Sequence, residues 1–236
     1  GFDWWIKRVA HNLELADIIR IDHFRGLVAF WAIPFGAETA IDGQWIEAPA
    51  VELFEALDKK LGKLPIIAED LGVITPDVDE VRLRFNLPGM KILQFAFDKS
   101  KANPYLPHFY PQNSVVYTGT HDNDTVVGWY ESLDAEDKLK LHQYLGSIGT
   151  GIHWQMIRLA WASVSDIAVV PLQDVLGLGT NGRMNVPGTL SGNWQWRFLD
   201  GQLLREHEIT LRNLSTLYNR TNRVTEEEIP DPDNHQ

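Results

Sequence analysis

Cysteine is absent from all 236 residues, which excludes a disulfide framework, a thiolate nucleophile and a cysteine-ligated metal site, and fits a reducing compartment. No apolar run approaches the roughly 20 residues needed to cross a bilayer, and no signal-peptide pattern is visible. Positive charge is scarce, since 21 Lys and Arg stand against 32 Asp and Glu, a net charge of −11. Because such a surface repels phosphate backbones and anionic lipid, we expect neither nucleic acid nor membrane partners.

Apolar and aromatic residues, in contrast, are well supplied. Hydrophobic residues make up 44% of the chain and charged residues 22%, the proportions of an ordinary globular protein with a sizeable core. Nine tryptophans are many, and their flat faces suit both a core and the apolar C–H faces of sugar rings. We expect most of these rings, about three in four, to lie in the core. The sequence begins at Gly1, directly on helix-like sequence, so we expect its natural start to be missing.

Five short apolar runs, each ending in polar residues, predict buried strands that open into loops. They are Ile18–Ile21, Leu64–Ala68, Met90–Phe97, Ser114–Thr118 and Asp166–Val170. Helical patterns alternate with them, at Asp3–Asp17, Val51–Leu61, from Thr75 and Pro76 onward, Asp134–Leu145, Ile152–Ser163 and Leu203–Arg220. We expect Asp3, Thr75, Asp124 and Asp134 as helix N-caps. Strands alternating with helices predict an α/β fold with a parallel sheet.

The number of strands favours part of a (β/α)8 barrel of the TIM type. A complete barrel takes roughly 250 residues, which the chain nearly has. The sequence nevertheless offers five strand candidates, at Ile18, Ile66, Lys91, Val115 and Ile167, instead of eight. We therefore predict roughly the C-terminal half of a barrel over residues 1–222. The acidic, proline-bearing residues 223–236 are expected to form a disordered tail.

Three acids, Asp22, Glu69 and Asp122, each follow a different predicted strand. In βα barrels the carboxyl ends of the strands face the active site, so these side chains are expected to converge. Cleavage of a glycosidic bond with retention needs one carboxylic acid to protonate the leaving oxygen and one carboxylate, about 5–5.5 Å away, to attack the anomeric carbon. Arg20 lies two positions before Asp22, on the same side of its strand, where its charge favours an ionised carboxylate.

Each of these residues also has a structural interpretation. A single Asp or Glu at a strand end more often caps a helix or joins a salt bridge than catalyses a reaction. Arg20 could simply pair with Asp22, and His121 could be structural. The Asp122-Asn123-Asp124 spacing is similar to a calcium loop, but the glycine and the distal glutamate of such a loop are missing, so we expect no metal.

Longer strings are far more specific. The segments around the three acids resemble signature segments of the 4-α-glucanotransferases of the amylomaltase and disproportionating-enzyme type, glycoside hydrolase family 77. They are Arg20-Ile21-Asp22-His23-Phe24-Arg25-Gly26, Ile67-Ala68-Glu69-Asp70-Leu71-Gly72-Val73-Ile74-Thr75 and Thr118-Gly119-Thr120-His121-Asp122-Asn123-Asp124-Thr125. The resemblance continues through Gly89–Phe97, Pro171–Gly179, Arg183–Gly188 and Gly192–Arg197, and covers residues 1 to about 220.

The resemblance implies a role for each candidate residue. Asp22 would be the nucleophile, Glu69 the general acid/base and Asp122 the third acid, which holds sugar hydroxyls. Substrate-binding positions would be Arg20, His121, Gln173, Asp174 and Asn185. The implied reaction transfers an α-1,4-glucan segment to the 4-hydroxyl of another glucose or maltooligosaccharide, with no cofactor and no metal. The implied location is the cytoplasm, or the plastid stroma in a plant.

The chain departs from the family in lacking its earlier strands. We therefore expect a partial gene product that is inactive or nearly so alone, and that could self-associate through open barrel edges. Three other functions remain open: an α-amylase-like hydrolase that passes the glycosyl group to water, a non-catalytic glucan-binding half-barrel, and a structural fragment without a ligand.

Overall fold

The structure is a computed structural model that describes residues 1–98, 103–146 and 151–221. The predicted tail at 223–236 lies outside the described residues. The α-helices are α1 (Asp3–Leu15), α2 (Ala50–Leu61), α3 (Pro76–Arg84), α4 (Val126–Ser132), α5 (Ala135–Leu145), α6 (Ile152–Ala162), α7 (Leu172–Val175) and α8 (Arg205–Leu217). The β-strands are β1 (Ile19–Ile21), β2 (Ala29–Ala32), β3 (Gln44–Glu47), β4 (Ile66–Ala68), β5 (Gly89–Ile92), β6 (Ser114–Tyr117) and β7 (Ile167–Val169).

The chain forms two compact units, which are described separately. The first unit contains Gly1–Ile92, Phe109–Tyr117 and Val164–Ile167. The second unit contains Leu93–His108, Thr118–Ser163 and the residues from Ala168 onward. Among the described residues, no helix has both the length and the apolar character needed to cross a membrane.

Short parallel strands form the framework of the first unit. Strand β1 pairs with β4 in parallel, from Ile19 opposite Ile66 to Ile21 opposite Ala68. Strand β5 pairs with β6 in the same sense, from Gly89 opposite Ser114 to Ile92 opposite Tyr117, and the order of that sheet is β5-β6-β7. The prediction of an α/β fold with parallel pairing is confirmed.

Buried apolar side chains cover both sides of these strands. Helices α1, α2 and α3 contribute to a cluster that contains the fully buried Phe24 and Phe54. A second cluster joins Ile67 of β4 to Met90 and Ile92 of β5 and to Val115 of β6. Strands β4 and β6 are buried at every residue, which explains why their sequences are continuous apolar runs with little alternation.

An antiparallel hairpin of β2 and β3 was not predicted from the sequence. Its register sets Trp31 opposite Trp45, whose rings meet edge to face with centroids 5.5 Å apart. Strand β3 is exposed along its whole length. Its sequence therefore lacks the alternation of apolar and polar residues by which a half-buried strand is predicted.

Several predicted boundaries and caps are corrected by the structure. The run Met90–Phe97 is a strand only as far as Ile92, after which Leu93–Phe95 form a 3-10 turn. Asp3 lies in the first turn of α1 and does not cap it, because Phe2 occupies the N-cap position. Thr125, not Asp124, caps α4 and accepts a hydrogen bond from the Gly128 N–H.

Two predicted caps are confirmed in position. The carboxylate of Asp134 accepts a hydrogen bond of 2.9 Å from the Asp137 N–H at the start of α5. Thr75 occupies the N-cap position of α3 with Pro76 as the first helical residue, although its hydroxyl does not cap the helix backbone. Pro76 fits there because the first helical N–H has no partner within the helix.

The expectation that most tryptophans lie in the core is wrong. None of the nine rings is buried, and five are exposed: Trp4, Trp5, Trp31, Trp45 and Trp194. The core is instead built from Phe, Leu, Ile, Met and Val. Large amphipathic rings on a surface are available to bind a ligand.

Candidate active site

Asp22 and Glu69 immediately follow two neighbouring parallel strands, β1 and β4. Ile21 and Ala68, the residues before them, are opposite each other in the register. The hydrogen bonding continues past the strands, because the Glu69 N–H donates to the Ile21 carbonyl at 2.9 Å and the Phe24 N–H donates to the Glu69 carbonyl at 3.1 Å. Both acids therefore emerge at the same end of the same strand pair.

The carboxylate of Glu69 is held by two backbone N–H groups. Oε2 accepts from the His23 N–H at 2.7 Å, and Oε1 accepts from the Leu71 N–H at 2.8 Å. His23 is able to donate because it adopts the left-handed conformation, with φ 48° and ψ 53°. That conformation is uncommon outside glycine and concentrates where function fixes the backbone.

Asp22 is open to solvent and has a guanidinium beside it. Its side chain is 81% exposed, and the nearest Arg20 nitrogen lies 3.8 Å from Oδ1. Arg20 also acts on Tyr117 at the end of β6. Burial raises the pKa of the Tyr117 hydroxyl, and the charge and hydrogen bond of Arg20 oppose that rise. Arg20 thus interacts with both the exposed Asp22 carboxylate and the buried Tyr117 phenol.

A cleft of about 270 Å³ opens beside Glu69 in the first unit. Its lining residues are His23, Arg25, Trp45, Glu69, Leu71 and Val73. The Arg25 guanidinium lies 4.3 Å from the centre of the Trp45 ring, and its Nη1 donates to the Thr75 hydroxyl at 2.7 Å. The cleft thus combines a carboxylate, a cation and a half-exposed aromatic face.

Asp70, next to Glu69, points into a buried ionic cluster. Its carboxylate accepts from the Met90 N–H at 2.7 Å and pairs with Arg82 at 3.2 Å. Burial raises the pKa of Asp70 and lowers the pKa of the neighbouring Lys91. Position 89 needs glycine, because a Cβ there would come within 2.2 Å of an Asp70 oxygen. The contacts of Asp70 with Met90 and Arg82 therefore fix the end of β4, which carries Glu69.

In the second unit, His121 and Asp122 are held by a loop that follows α7. The Asn185 amide donates to Asp122 Oδ1 at 2.5 Å, and His121 Nε2 lies 3.4 Å from Asp122 Oδ2. Arg183 donates to the Asp122 carbonyl at 2.8 Å, and the exposed Trp194 ring packs on His121 with centroids 5.0 Å apart. Asn185, predicted to bind substrate, binds Asp122 here.

Asp174 and Gln173, both predicted to bind substrate, are buried, with exposed fractions of 1% and 8%. The Asp174 carboxylate accepts from the Thr118 hydroxyl at 2.6 Å and from the Val126 N–H at the start of α4 at 2.7 Å. Both oxygens are already hydrogen-bonded within the protein. Asp174 therefore links Thr118, at the start of the loop that carries His121 and Asp122, to the first turn of α4.

Asp174 gives the chain a pH-dependent stability. Burial raises its pKa from 3.8 to about 6, aided by the Asp124 charge and opposed by the two hydrogen bonds. The folded state therefore binds this proton more tightly than the unfolded state, and the free energy of unfolding is expected to fall by about 3 kcal/mol as the pH rises from about 4 to above 6. Urea denaturation at pH 4 and pH 7.5 measures the fall, and Asp174→Asn should remove it. An equal fall in that variant would contradict the assignment.

No group of three or more potential metal ligands occurs among the described His, Cys, Asp and Glu residues. The calcium-like Asp122-Asn123-Asp124 string has other partners. Asp124 accepts from the Thr125 N–H at 2.7 Å and from the Thr180 hydroxyl at 2.8 Å. The Asn123 side chain accepts from the Thr120 N–H and hydroxyl, each at 2.9 Å.

Sequence reasoning missed four residues of these sites: His23, Trp45, Arg183 and Trp194. His23, Arg183 and Trp194 lay inside the quoted strings, but a string does not indicate that the backbone N–H of His23 holds Glu69 or that the Arg183 guanidinium holds the Asp122 carbonyl. Trp45 and Trp194 are exposed tryptophans, a class that composition alone assigns to the core.

Comparison with known proteins gives a consistent result. The sequence profile of glycoside hydrolase family 77, described as 4-alpha-glucanotransferase, matches residues 1–202. A 4-alpha-glucanotransferase of Synechocystis sp. is 56% identical over 86% of this chain and 41% of its own length. One of Thermus thermophilus is 49% identical over 91% of this chain and 45% of its own length.

Among solved structures, the amylomaltase of Streptococcus agalactiae in complex with acarbose matches with a TM-score of 0.90 and 39% identity, over 94% of this chain and 45% of that one. The chain thus spans less than half the length of these relatives. With its strand-end carboxylates in the family's own sequence context, the chain belongs to glycoside hydrolase family 77, the 4-alpha-glucanotransferases.

Proposed function

We propose that this chain carries the catalytic carboxylates of a 4-α-glucanotransferase, with Asp22 as nucleophile and Glu69 as general acid/base. The observation that carries the proposal is the emergence of the two acids side by side from the parallel pair β1 and β4. An exposed carboxylate beside a guanidinium suits a nucleophile, and a carboxylate fixed by two N–H groups suits an acid/base that must stay aligned.

The proposed reaction is a double displacement. Glu69 gives its proton to the glycosidic oxygen while Asp22 attacks the anomeric carbon, so the leaving glucan departs with a free 4-hydroxyl and a glycosyl ester forms on Asp22. In the second step the 4-hydroxyl of an acceptor gives its proton to Glu69. Its oxygen forms the new bond to the anomeric carbon, and the Asp22 carboxylate is released. Two inversions leave the α configuration unchanged.

The substrate-binding roles follow from the hydrogen-bonding capacity of the remaining residues. Asp122, held by Asn185 and His121, is proposed to accept hydrogen bonds from sugar hydroxyls. Arg20 is proposed to stabilise the Asp22 carboxylate, and His121 to donate to a sugar hydroxyl. The α-1,4-glucan substrate is supported by the acarbose bound to the Streptococcus agalactiae relative. No step of this reaction needs a cofactor.

We propose residues 1–222 as the C-terminal part of a (β/α)8 catalytic barrel. The parallel pairs β1–β4 and β5–β6 and the share of each relative that the chain covers support this proposal. Self-association through open strand edges, and the location in cytoplasm or plastid stroma, stay predictions.

Incubation of the purified chain with maltotriose tests the function. We expect glucose and longer maltooligosaccharides with a constant number of reducing ends. We expect the rate to be low, because the chain spans less than half of its relatives. Asp22→Asn should lower it by on the order of 10⁴-fold, since the nucleophile is removed.

Other outcomes of this assay favour the alternatives. A rise in reducing ends would indicate a hydrolase that passes the glycosyl group to water. Binding of maltotriose without turnover, unchanged by Asp22→Asn, would indicate a glucan-binding protein and would contradict the proposed transfer.

A further inference from the structure

We propose that the cleft between Trp45 and Glu69 binds the glucose ring of the acceptor, which is also the ring of the leaving glucan, by stacking that ring on Trp45. The catalytic part of this inference rests on the proposed function, whereas the binding of a glucose ring does not. Trp45 was not among the predicted site residues, and it lies on the hairpin that the sequence did not predict.

The shape and lining of the cleft suit one sugar ring. Its volume of about 270 Å³ is just below the range of about 300–1,000 Å³ for pockets that bind drug-sized ligands, as expected for a site that holds a single ring. Trp45 is 53% exposed and offers a broad apolar face, while Glu69 and Arg25 offer an acceptor and donors for hydroxyl groups. A glucose ring has apolar C–H faces and a polar rim, and it matches this division.

The aromatic wall is held in place before a ligand arrives. The Arg25 guanidinium lies 4.3 Å from the centre of the Trp45 ring, and a hydrogen bond to Thr75 fixes the same guanidinium. Trp31 packs edge to face against Trp45. A restrained ring loses little freedom when a sugar stacks on it, so the contact contributes more to affinity.

We assign the cleft to the acceptor sugar because the acid/base Glu69 lines it. Glu69 is among its six lining residues, and Asp22 is not. The acid/base exchanges its proton with the oxygen of the leaving or accepting sugar, whereas the nucleophile bonds to the donor sugar. A ring in this cleft therefore presents its 4-hydroxyl to Glu69.

A fluoride donor separates acceptor binding from the first step. With maltosyl α-fluoride the leaving group is fluoride ion, so no sugar occupies the acceptor side while the glycosyl ester forms. We expect Trp45→Ala to leave fluoride release in a single turnover unchanged and to raise the KM for a glucose acceptor by about tenfold. Trp45→Phe, which keeps a flat ring, should stay within about threefold of the wild-type chain.

Trp4 supplies a matched control. It is exposed and has Arg8 5.2 Å from its ring centre, as Trp45 has Arg25, but it lies on α1 and does not line the cleft. Trp4→Ala should leave the acceptor KM unchanged. Equal effects of the two alanine variants, or a loss of fluoride release in Trp45→Ala with a normal circular dichroism spectrum, would overturn the proposal.

Equilibrium binding keeps the test independent of turnover. Titration calorimetry with maltose should find about tenfold weaker binding in Trp45→Ala and unchanged binding in Trp4→Ala. If the chain binds maltose in this pattern but transfers nothing, the sugar site stands and the proposed transferase fails. If maltose does not bind to the chain, or binds equally to Trp45→Ala, the sugar site itself is wrong.

Discussion

Replacing Glu69 with glutamine is expected to abolish transfer from maltotriose and to spare the first step with maltosyl α-fluoride. A glucan leaves as an alcohol and needs a proton, which contributes about 10²–10⁴-fold to the rate, whereas fluoride leaves without one. Glutamine keeps the size of the side chain, and its amide oxygen keeps one of the two backbone hydrogen bonds to Glu69. The measurement is fluoride release in a single turnover, with mass analysis of the peptide that contains Asp22.

Two variants control this experiment. Asp22→Asn should lose fluoride release and the glycosyl adduct together, because no nucleophile remains. Glu80→Gln removes an exposed carboxylate on α3 and should change nothing. If Glu69→Gln lowers transfer from maltotriose and fluoride release from maltosyl α-fluoride equally, the acid/base assignment is contradicted.

The second large effect is on stability. Asp70→Ala is expected to lower the free energy of unfolding by about 3–5 kcal/mol, because it leaves the buried Arg82 guanidinium without its buried partner and the Met90 N–H without an acceptor. The Asp70 side chain is 7% exposed and the Arg82 side chain 11%. Solvent therefore cannot replace the lost carboxylate.

Asp79 provides the comparison, because it pairs with the same arginine at 3.1 Å but is 49% exposed. Asp79→Ala should cost less than about 1 kcal/mol, as exposed ion pairs do. Urea denaturation followed by tryptophan fluorescence measures both variants. Equal losses for Asp70→Ala and Asp79→Ala would mean that burial of the pair does not determine its contribution.

The elements that local sequence determines were predicted well. Strand β4 agrees with the predicted run apart from two residues at its start, since a β-branched run between polar loops admits little else. The Asp134 cap was predictable because its hydrogen bond spans only three residues.

Features that depend on distant contacts were not predictable. The exposure of Trp45 depends on a hairpin whose strands bury almost nothing, so no periodic pattern marks it. Asp174 carries the same strand-end signal as Asp122, but its partners Thr118 and Val126 are 56 and 48 residues away. Only the folded structure shows that Asp122 is exposed whereas Asp174 is buried and hydrogen-bonded within the protein.

The hydrogen bond from His23 to Glu69 comes from the main chain, and this has a consequence for evolvability. Any side chain at position 23 that tolerates the left-handed conformation, such as asparagine, aspartate or glycine, keeps the N–H that orients Glu69. His23 is also one of the residues that line the cleft. Substitutions at position 23 can therefore change the wall of the cleft while the backbone N–H continues to orient Glu69.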